Sequence, residues 1–302
     1  MSNAQIETYL RGKSAELIMR ARRDGTGADG SGLMIAHAAI RDGSVVRDAT
    51  WTEAIAAGTY NKVPVVVGNT KDESKDQYPL YGAYIKAYTG GTVPSGTKTW
   101  LDLFKVIGVG GSLALTDVLP TQTDMDFYGA LGSLGSRKWK ATYTDTVARE
   151  FKTNDASNPV YAFLFNWDGG GDPAMADFKF VFGAGHAMDV PFFFGWNRDL
   201  FNYSFTAANQ AGRVALQEDM MDYLIGFVKN LDPNANGSSL PAWPQWSNTA
   251  GEDKLITFNA DLNNYLIGTD ITEETMAAVS ADIAAAKALY PAWGIVFTIL
   301  GL

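Results

Sequence analysis

Short apolar runs of strand length alternate along this chain with stretches of helical periodicity. Val63 to Val67 (VPVVV) is uniformly apolar and, Pro64 apart, β-branched, the pattern of an interior strand covered on both faces, and Gly68-Asn69-Thr70 marks its end. Val160 to Trp167 (VYAFLFNW) reads as a buried strand and Leu255 to Phe258 as a last short one. Phe178, Phe180 and Phe182 alternate with other residues, which predicts the end of a half-buried strand running into Gly183 and Gly185. Helical patterns lie between these runs. Gln5 to Arg23 has apolar residues at loosely helical spacing, interrupted by Gly12. Thr52 to Gly58 reads as a short helix with Thr52 as N-cap and Gly58 as its stop. Trp139, Tyr143, Val147 and Phe151, four apart, predict one face of an amphipathic helix over Lys138 to Phe151. Ala207 to Asn230 predicts a long helix with Val214, Met221, Leu224, Ile225 and Val228 on one face, and Ile271 to Leu289 a final one opening near Thr272. Tyr81 to Thr92 and Trp100 to Val109 have mixed spacing and suit helices and loops of a covering layer. Strands alternating with helices predict an α/β class.

With 302 residues and 46% hydrophobic content the chain can bury a large core. The expectation is a soluble single domain over residues 1–302: entry helices and a hairpin signalled by Asp42-Gly43 over 1–60, a core over 61–290, and an apolar tail over 291–302. That tail is much shorter than the roughly 20 residues a membrane span needs, and is expected to pack on the body. Gln5 to Ala21 is polar and helix-like rather than a signal peptide. The sequence leaves the compartment open.

Charge and composition narrow the chemistry. A net charge of −9 and a pI near 4.7 argue against a nucleic-acid surface. The chain has no cysteine, hence no disulfide, thiol nucleophile or cysteine zinc site. Its two histidines, His37 and His186, are far apart, so no metal centre is expected. Arg23 to Gly32 is glycine-rich but lacks the G-K-[ST] ending and a preceding strand, and no cofactor is expected. His37, in the apolar run Leu33 to Ile40, reads as structural.

His186 is the first candidate. It stands in a glycine-flanked loop, and Val190 to Trp196 follows as an aromatic wall in which Phe192, Phe193, Phe194 and Trp196 could line an apolar pocket. Asp72 and Glu73 come directly after the first strand, and in open α/β sheets catalytic groups gather at strand carboxyl ends. Either could orient a histidine. Ser112, in Gly110-Gly111-Ser112-Leu113-Ala114, is the nearest approach to a nucleophile elbow, but the segment is not G-x-S-x-G and reads as a loop.

Taken together, Gly-Asn-Thr-Lys71-Asp72-Glu73, VYAFLFNW and Gly-Ala-Gly-His186-Ala-Met-Asp189-Val-Pro-Phe-Phe-Phe-Gly195 resemble the C-terminal half of type-B carboxylesterases, the family that includes the cholinesterases. Leu231-Asp232-Pro233-Asn234, Pro241-Ala242-Trp243-Pro244 and Leu255-Ile256-Thr257-Phe258 are similar to later elements of that family, and the likeness runs from about Ser14 to Asp282. It implies an α/β-hydrolase fold represented by its C-terminal part, about three sheet strands with flanking helices. It also implies a Ser-Glu-His triad in which the acid falls on Glu73, with Asp72 as the rival, and the base on His186. Ser74 stands where the family has glycine.

The family's serine elbow and glycine-rich oxyanion segment have no counterpart in these 302 residues. Three readings stay open. The chain supplies acid and base for hydrolysis of small-molecule carboxylic esters and needs a separate N-terminal half for its serine; it is a noncatalytic binding module of the same ancestry; or Ser112 serves with His186 in a different hydrolase.

Overall fold

The computed structural model describes residues 2–14, 43, 49–79, 98–235, 237 and 239–302. His37, the glycine-rich Arg23 to Gly32, Asp42 and the Tyr81 to Thr92 stretch lie outside them. The chain divides into two compact units, Met1–Glu53 and Ala54–Leu302. In the first, helix α1 (Asn3–Arg11) stops at Gly12, where the sequence breaks. At its end Thr50, two residues earlier than expected, caps α2 (Trp51–Ala56): its Oγ1 accepts from Glu53 N–H, and Glu53 Oε2 accepts from Thr50 N–H.

The second unit is built on a mixed sheet. Among the described residues its strands are β1 (Val65–Thr70), β2 (Val160–Phe165), β3 (Leu255–Ala260) and β4 (Tyr265–Asp270), in spatial order β1-β2-β3-β4. β1, β2 and β3 run parallel, and β4 returns antiparallel on β3. Short helices α3 (Leu103–Val106) and α4 (Leu115–Val118) follow β1. Next comes a continuous helical rod made of α5 (Gln122–Trp139), a π-helical segment (Lys140–Asp145) and α6 (Thr146–Asn154). After β2 come α7 (Ala176–Val181), α8 (Val190–Phe193) and α9 (Gln210–Asn230). After β4 come α10 (Met276–Leu289) and α11 (Gly294–Ile299).

Strand alternation assigns the two sheet faces. Tyr161, Phe163 and Phe165 of β2 and Ile256 and Phe258 of β3 enter the larger core, while Val160 and Ala162 of β2 and Leu255 of β3 enter a smaller one with Ala148 and Trp246. Trp243 anchors the larger core edge-on to Phe258 and Tyr223, and its indole N–H donates to Ala162 O. Helices cover both faces, so the α/β class expected from the sequence is the one observed.

Several local expectations are corrected. The first strand does not end at Gly68 but runs to Thr70, because Gly68 pairs with Phe163 and makes room for its ring. Nor is it interior: among the described residues β1 pairs with β2 alone, and Val65, Val66 and Val67 are only half-buried. Phe178 to Phe182 is helix α7 and its C-cap, not strand. Phe178 and Phe182 are four apart, and their rings lie parallel, 6.0 Å between centroids. β4 was not anticipated. Asp261 accepts from the Asn263 and Asn264 N–H groups and turns β3 back into it. Thr275, rather than Thr272, caps the last long helix.

Two helices bury a different face from the one their large side chains suggest. In the rod, Lys140, Ala141, Thr144, Asp145 and Ala148 face inward while Tyr143 is exposed. The π turn inserts a residue and shifts the phase, and small side chains let the rod approach β1. In α9 the buried face is Arg213, Leu216, Gln217, Met220 and Tyr223, leaving Ile225 and Val228 exposed. Its polar members are largely satisfied, Arg213 Nε being the exception. Arg213 stacks over Phe205 and donates to Gln217, which donates to the Pro191 and Trp196 carbonyls. Past β4, Val296 and Phe297 of the tail are fully buried, and Trp293 stacks on Phe127.

Candidate active site

At the carboxyl end of β1 the chain makes a turn over Lys71 to Gln77 that carries four acidic or hydroxyl groups in the sequence KDESKD. Thr70 fixes its geometry: the backbone N–H and the side-chain hydroxyl both donate to Glu73 Oε2 at 2.8 Å. The other carboxylate oxygen of Glu73, Oε1, is bonded to His186 Nδ1. Asp72 has a different task. Its N–H donates to Ala184 O at 2.9 Å and its Oδ2 accepts from Ala184 N–H at 3.1 Å, so it ties down the main chain of the histidine loop and does not reach the ring. Lys75 pairs with Asp72 at 3.5 Å.

The loop that presents His186 leaves helix α7 through Gly183 at φ 57° and passes through Ala187 at φ 61°. Both lie in the left-handed region, and the second is unusual for a residue with a Cβ. The two reversals fold the imidazole back onto Glu73 while leaving its side chain 49% exposed. Nδ1 is used by Glu73; Nε2 makes no hydrogen bond among the described residues. The Trp139 ring stands over the histidine, 5.9 Å between centroids and inclined at 67°.

Trp139 is held by the last turn of α5, where the helix widens into its π segment. Thr144 of that segment donates to Asn69 Oδ1 at 3.0 Å, and Asn69 Nδ2 donates to Thr70 O at 2.7 Å. The rod therefore docks on the strand end that carries the acid. Within the rod Lys140, paired with the fully buried Asp145, donates at 3.2 Å to Thr272 O, and Asp145 also accepts from Glu274 N–H. A cleft of about 270 Å³ opens beside Trp139, lined by Ser74, Tyr78, Lys138, Tyr143 and Leu302 among others.

Electrostatics favour a charged histidine. The hydrogen bond to Glu73 raises the His186 pKa most, burial opposes it, and the charges of Glu73, Asp76 and Asp189 add to the rise. Asp76 is itself pushed up to about 7, chiefly by burial, and Asp189 to about 6 for the same reason with Glu73's charge adding. Three carboxyl groups thus act on the charge of one imidazole, Glu73 by direct contact and Asp76 and Asp189 through their charge. Proton transfer through Nε2, with Glu73 steadying the imidazolium, is the chemistry this arrangement can perform.

The other candidates sit elsewhere. Ser112 is exposed in the loop before α4 and makes no hydrogen bond with His186. Phe192 is turned into the core against Phe165 and Trp167, and Phe193 packs on Phe163. Phe194 and Trp196 point outward, so the four aromatic residues do not form one wall. Sequence reasoning missed Thr70, Asp76 and Trp139. The first two were signalled only by their spacing from Glu73, three residues on either side.

A model of the carboxylesterase family matches residues 133–276. Over that stretch the chain is carboxylesterase-like. The match includes His186 and the rod's π segment, while Glu73 lies before it. None of the curated proteins compared matches the chain. Among solved structures it is similar to juvenile hormone esterase from Manduca sexta, a structure with OTFP covalently attached, at 16% identity and a TM-score of 0.51. The superposition covers 95% of this chain and 53% of that one, so the chain spans about half the esterase's length. The fold is that of the α/β-hydrolases, represented in part. The carboxylesterase-like stretch supplies β2, the histidine loop, α9 and the β3-β4 hairpin to that fold.

Proposed function

We propose that this chain carries the acid and base of a serine-type carboxylic-ester hydrolase, with Glu73 and His186 as the pair. The nucleophilic serine and the oxyanion donors come from polypeptide outside these 302 residues. The observation that carries the reading is the Glu73 carboxylate on His186 Nδ1, with the imidazole half-exposed and Nε2 unbonded among the described residues.

In the reaction, His186 Nε2 takes the proton of the serine hydroxyl as its oxygen attacks the ester carbonyl carbon. The ring then gives that proton to the departing alcohol, and the cycle repeats with water to release the acid. Glu73 holds the tautomer with the proton on Nδ1 and stabilises the imidazolium, while Thr70 keeps the carboxylate aimed at the ring. The half-buried valines of β1, with a strand on one side only among the described residues, support a second piece of sheet on the other side.

The test is labelling by a fluorophosphonate, which modifies an activated serine. The chain alone should take no adduct. Mixed with a polypeptide bearing a carboxylesterase serine elbow, it should direct labelling of that serine and hydrolyse p-nitrophenyl butyrate, and His186→Gln should abolish both. An adduct on the isolated chain, mapped to Ser112, overturns the proposal. The lack of any G-x-S-x-G segment favours a second reading, a noncatalytic binding module; a stable complex with the serine-bearing piece but no turnover would establish it.

A further inference from the structure

Asp76 lies three residues beyond Glu73 and takes no part in the proton transfer described above. Its residue is only 9% exposed, yet its Oδ1 has no hydrogen-bond partner. A buried carboxylate oxygen left unmatched costs free energy, so its place in the fold needs a reason. The histidine loop supplies one. A Cβ built on Gly185 would stand 3.1 Å from both Cβ and Cγ of Asp76, so the loop descends onto this carboxyl at a position where a larger residue would lift it away. The main-chain N–H of His186 is directed at the same group.

We propose that Asp76 is a positioning residue for His186: buried between the Glu73 turn and the histidine loop, it holds the His186 main chain and, when ionised, stabilises the imidazolium. The inference rests on the reading of His186 as the base. From the turn, Asp72, Glu73, Lys75 and Tyr78 face this region; the loop contributes His186 and Asp189, and α5 contributes Tyr128. Lys75 is paired with Asp72. That leaves the imidazolium as the cation whose charge opposes burial at Asp76. Glu73 orients the ring from Nδ1, and Asp76 acts through the backbone that carries it.

The pair predicts a coupled response. Burial holds Asp76 protonated to about neutral pH, and its ionisation there raises the proton affinity of the ring above what Glu73 alone supplies. A carboxyl kept only for packing would leave the ring's titration unchanged when replaced by its amide.

The experiment is an NMR titration of the imidazole C–H resonances in the intact chain. There are only two histidines, and His186→Gln assigns the signal. Asp76→Asn keeps an oxygen facing the main chain and removes the charge; it should lower the ring's proton affinity by roughly 10-fold, the low end of the effect of one nearby opposite charge. Asp76→Ser, which also removes the charge, is measured in parallel. In the unaltered chain the Asp76 Cγ resonance should shift near neutral pH together with the ring. An unchanged His186 midpoint in a folded variant, or an Asp76 midpoint in the ordinary carboxylate range, overturns the proposal. No turnover is involved, so the result is separable from the catalytic reading: Glu73→Gln must lower the midpoint if Glu73 is the acid, whatever Asp76 does.

Discussion

The two ends of β1 invert what their residue types would demand. Val65, Val66 and Val67 are half-buried, while Asn69 and Thr70, the polar end, are 4% and 1% exposed. Its neighbour β2 shows no such gradient, because strands flank it on both sides and helices cover both faces. The polar end of β1 is dry because each of its groups has a partner: Thr144 for Asn69, Glu73 for Thr70. The apolar end is half wet because only β2 stands beside it among the described residues. Effort in this fold is concentrated where the acid is held, and cover is deficient where a second piece of sheet is proposed.

The largest expected effect falls at the polar end. In the complemented enzyme Glu73→Gln would present an amide N–H₂ to Nδ1, favour the wrong tautomer and lower kcat by about 10⁴-fold. The same substitution bears on stability with a definite sign. The folded-state pKa of His186 is raised, first by the Glu73 hydrogen bond. The pair's contribution is therefore fully present below the ordinary histidine value and is lost as pH rises through the raised one. The deficit of Glu73→Gln, on the order of 1 kcal/mol after allowing for screening of the half-exposed ring, should be largest near pH 6 and shrink toward pH 9. Urea denaturation at both pH values measures it; a pH-independent deficit would detach Glu73 from the ring.

The apolar end offers a matched pair. Val65 and Val160 are register partners, the first half-buried and the second fully buried. Val160→Thr buries a hydroxyl and should cost about 1–3 kcal/mol. Val65→Thr should stay within about 0.5 kcal/mol in the isolated chain. If a second piece of sheet covers β1, the Val65→Thr cost should rise toward the Val160 value in the complex. Equal costs in the isolated chain would mean that β1 is already covered.

That contrast also marks what the sequence could tell. A valine-rich run announces a strand, but whether the strand is interior depends on its neighbours, and no local pattern records that. The Glu73–His186 pairing was legible because two motifs of the carboxylesterase resemblance meet there. Helix α7 was misread because Phe178, Phe180 and Phe182 satisfy a period of two as well as they satisfy i and i+4. The second half of the rod, Lys138 to Phe151, and α9 were legible as helices but turned the wrong way, and the rod's first half from Gln122 was not expected. Their buried faces carry Thr144, Asp145, Arg213 and Gln217, polar residues that only a tertiary partner makes tolerable in a core. Trp139 was legible only as a member of a helix face, since nothing local to it in the sequence records its contact with His186.

The smallest expected effect concerns the residue after the histidine. Ala187 holds φ 61°, a region an L-residue enters at a cost of roughly 1 kcal/mol and glycine enters freely. Glycine also gains freedom in the unfolded chain, which opposes the benefit. Ala187→Gly should therefore stabilise the chain by no more than about 0.5–1 kcal/mol, read as a small rise in thermal midpoint. It should leave the Glu73–His186 bond and the ring's titration in place, because the loop is already pinned from Asp72 through Ala184. If the substitution instead lowers the His186 midpoint, the methyl group of Ala187 is part of what presses the ring against Glu73. The loop's aim would then come from its own strain as well as from the acid turn beneath it.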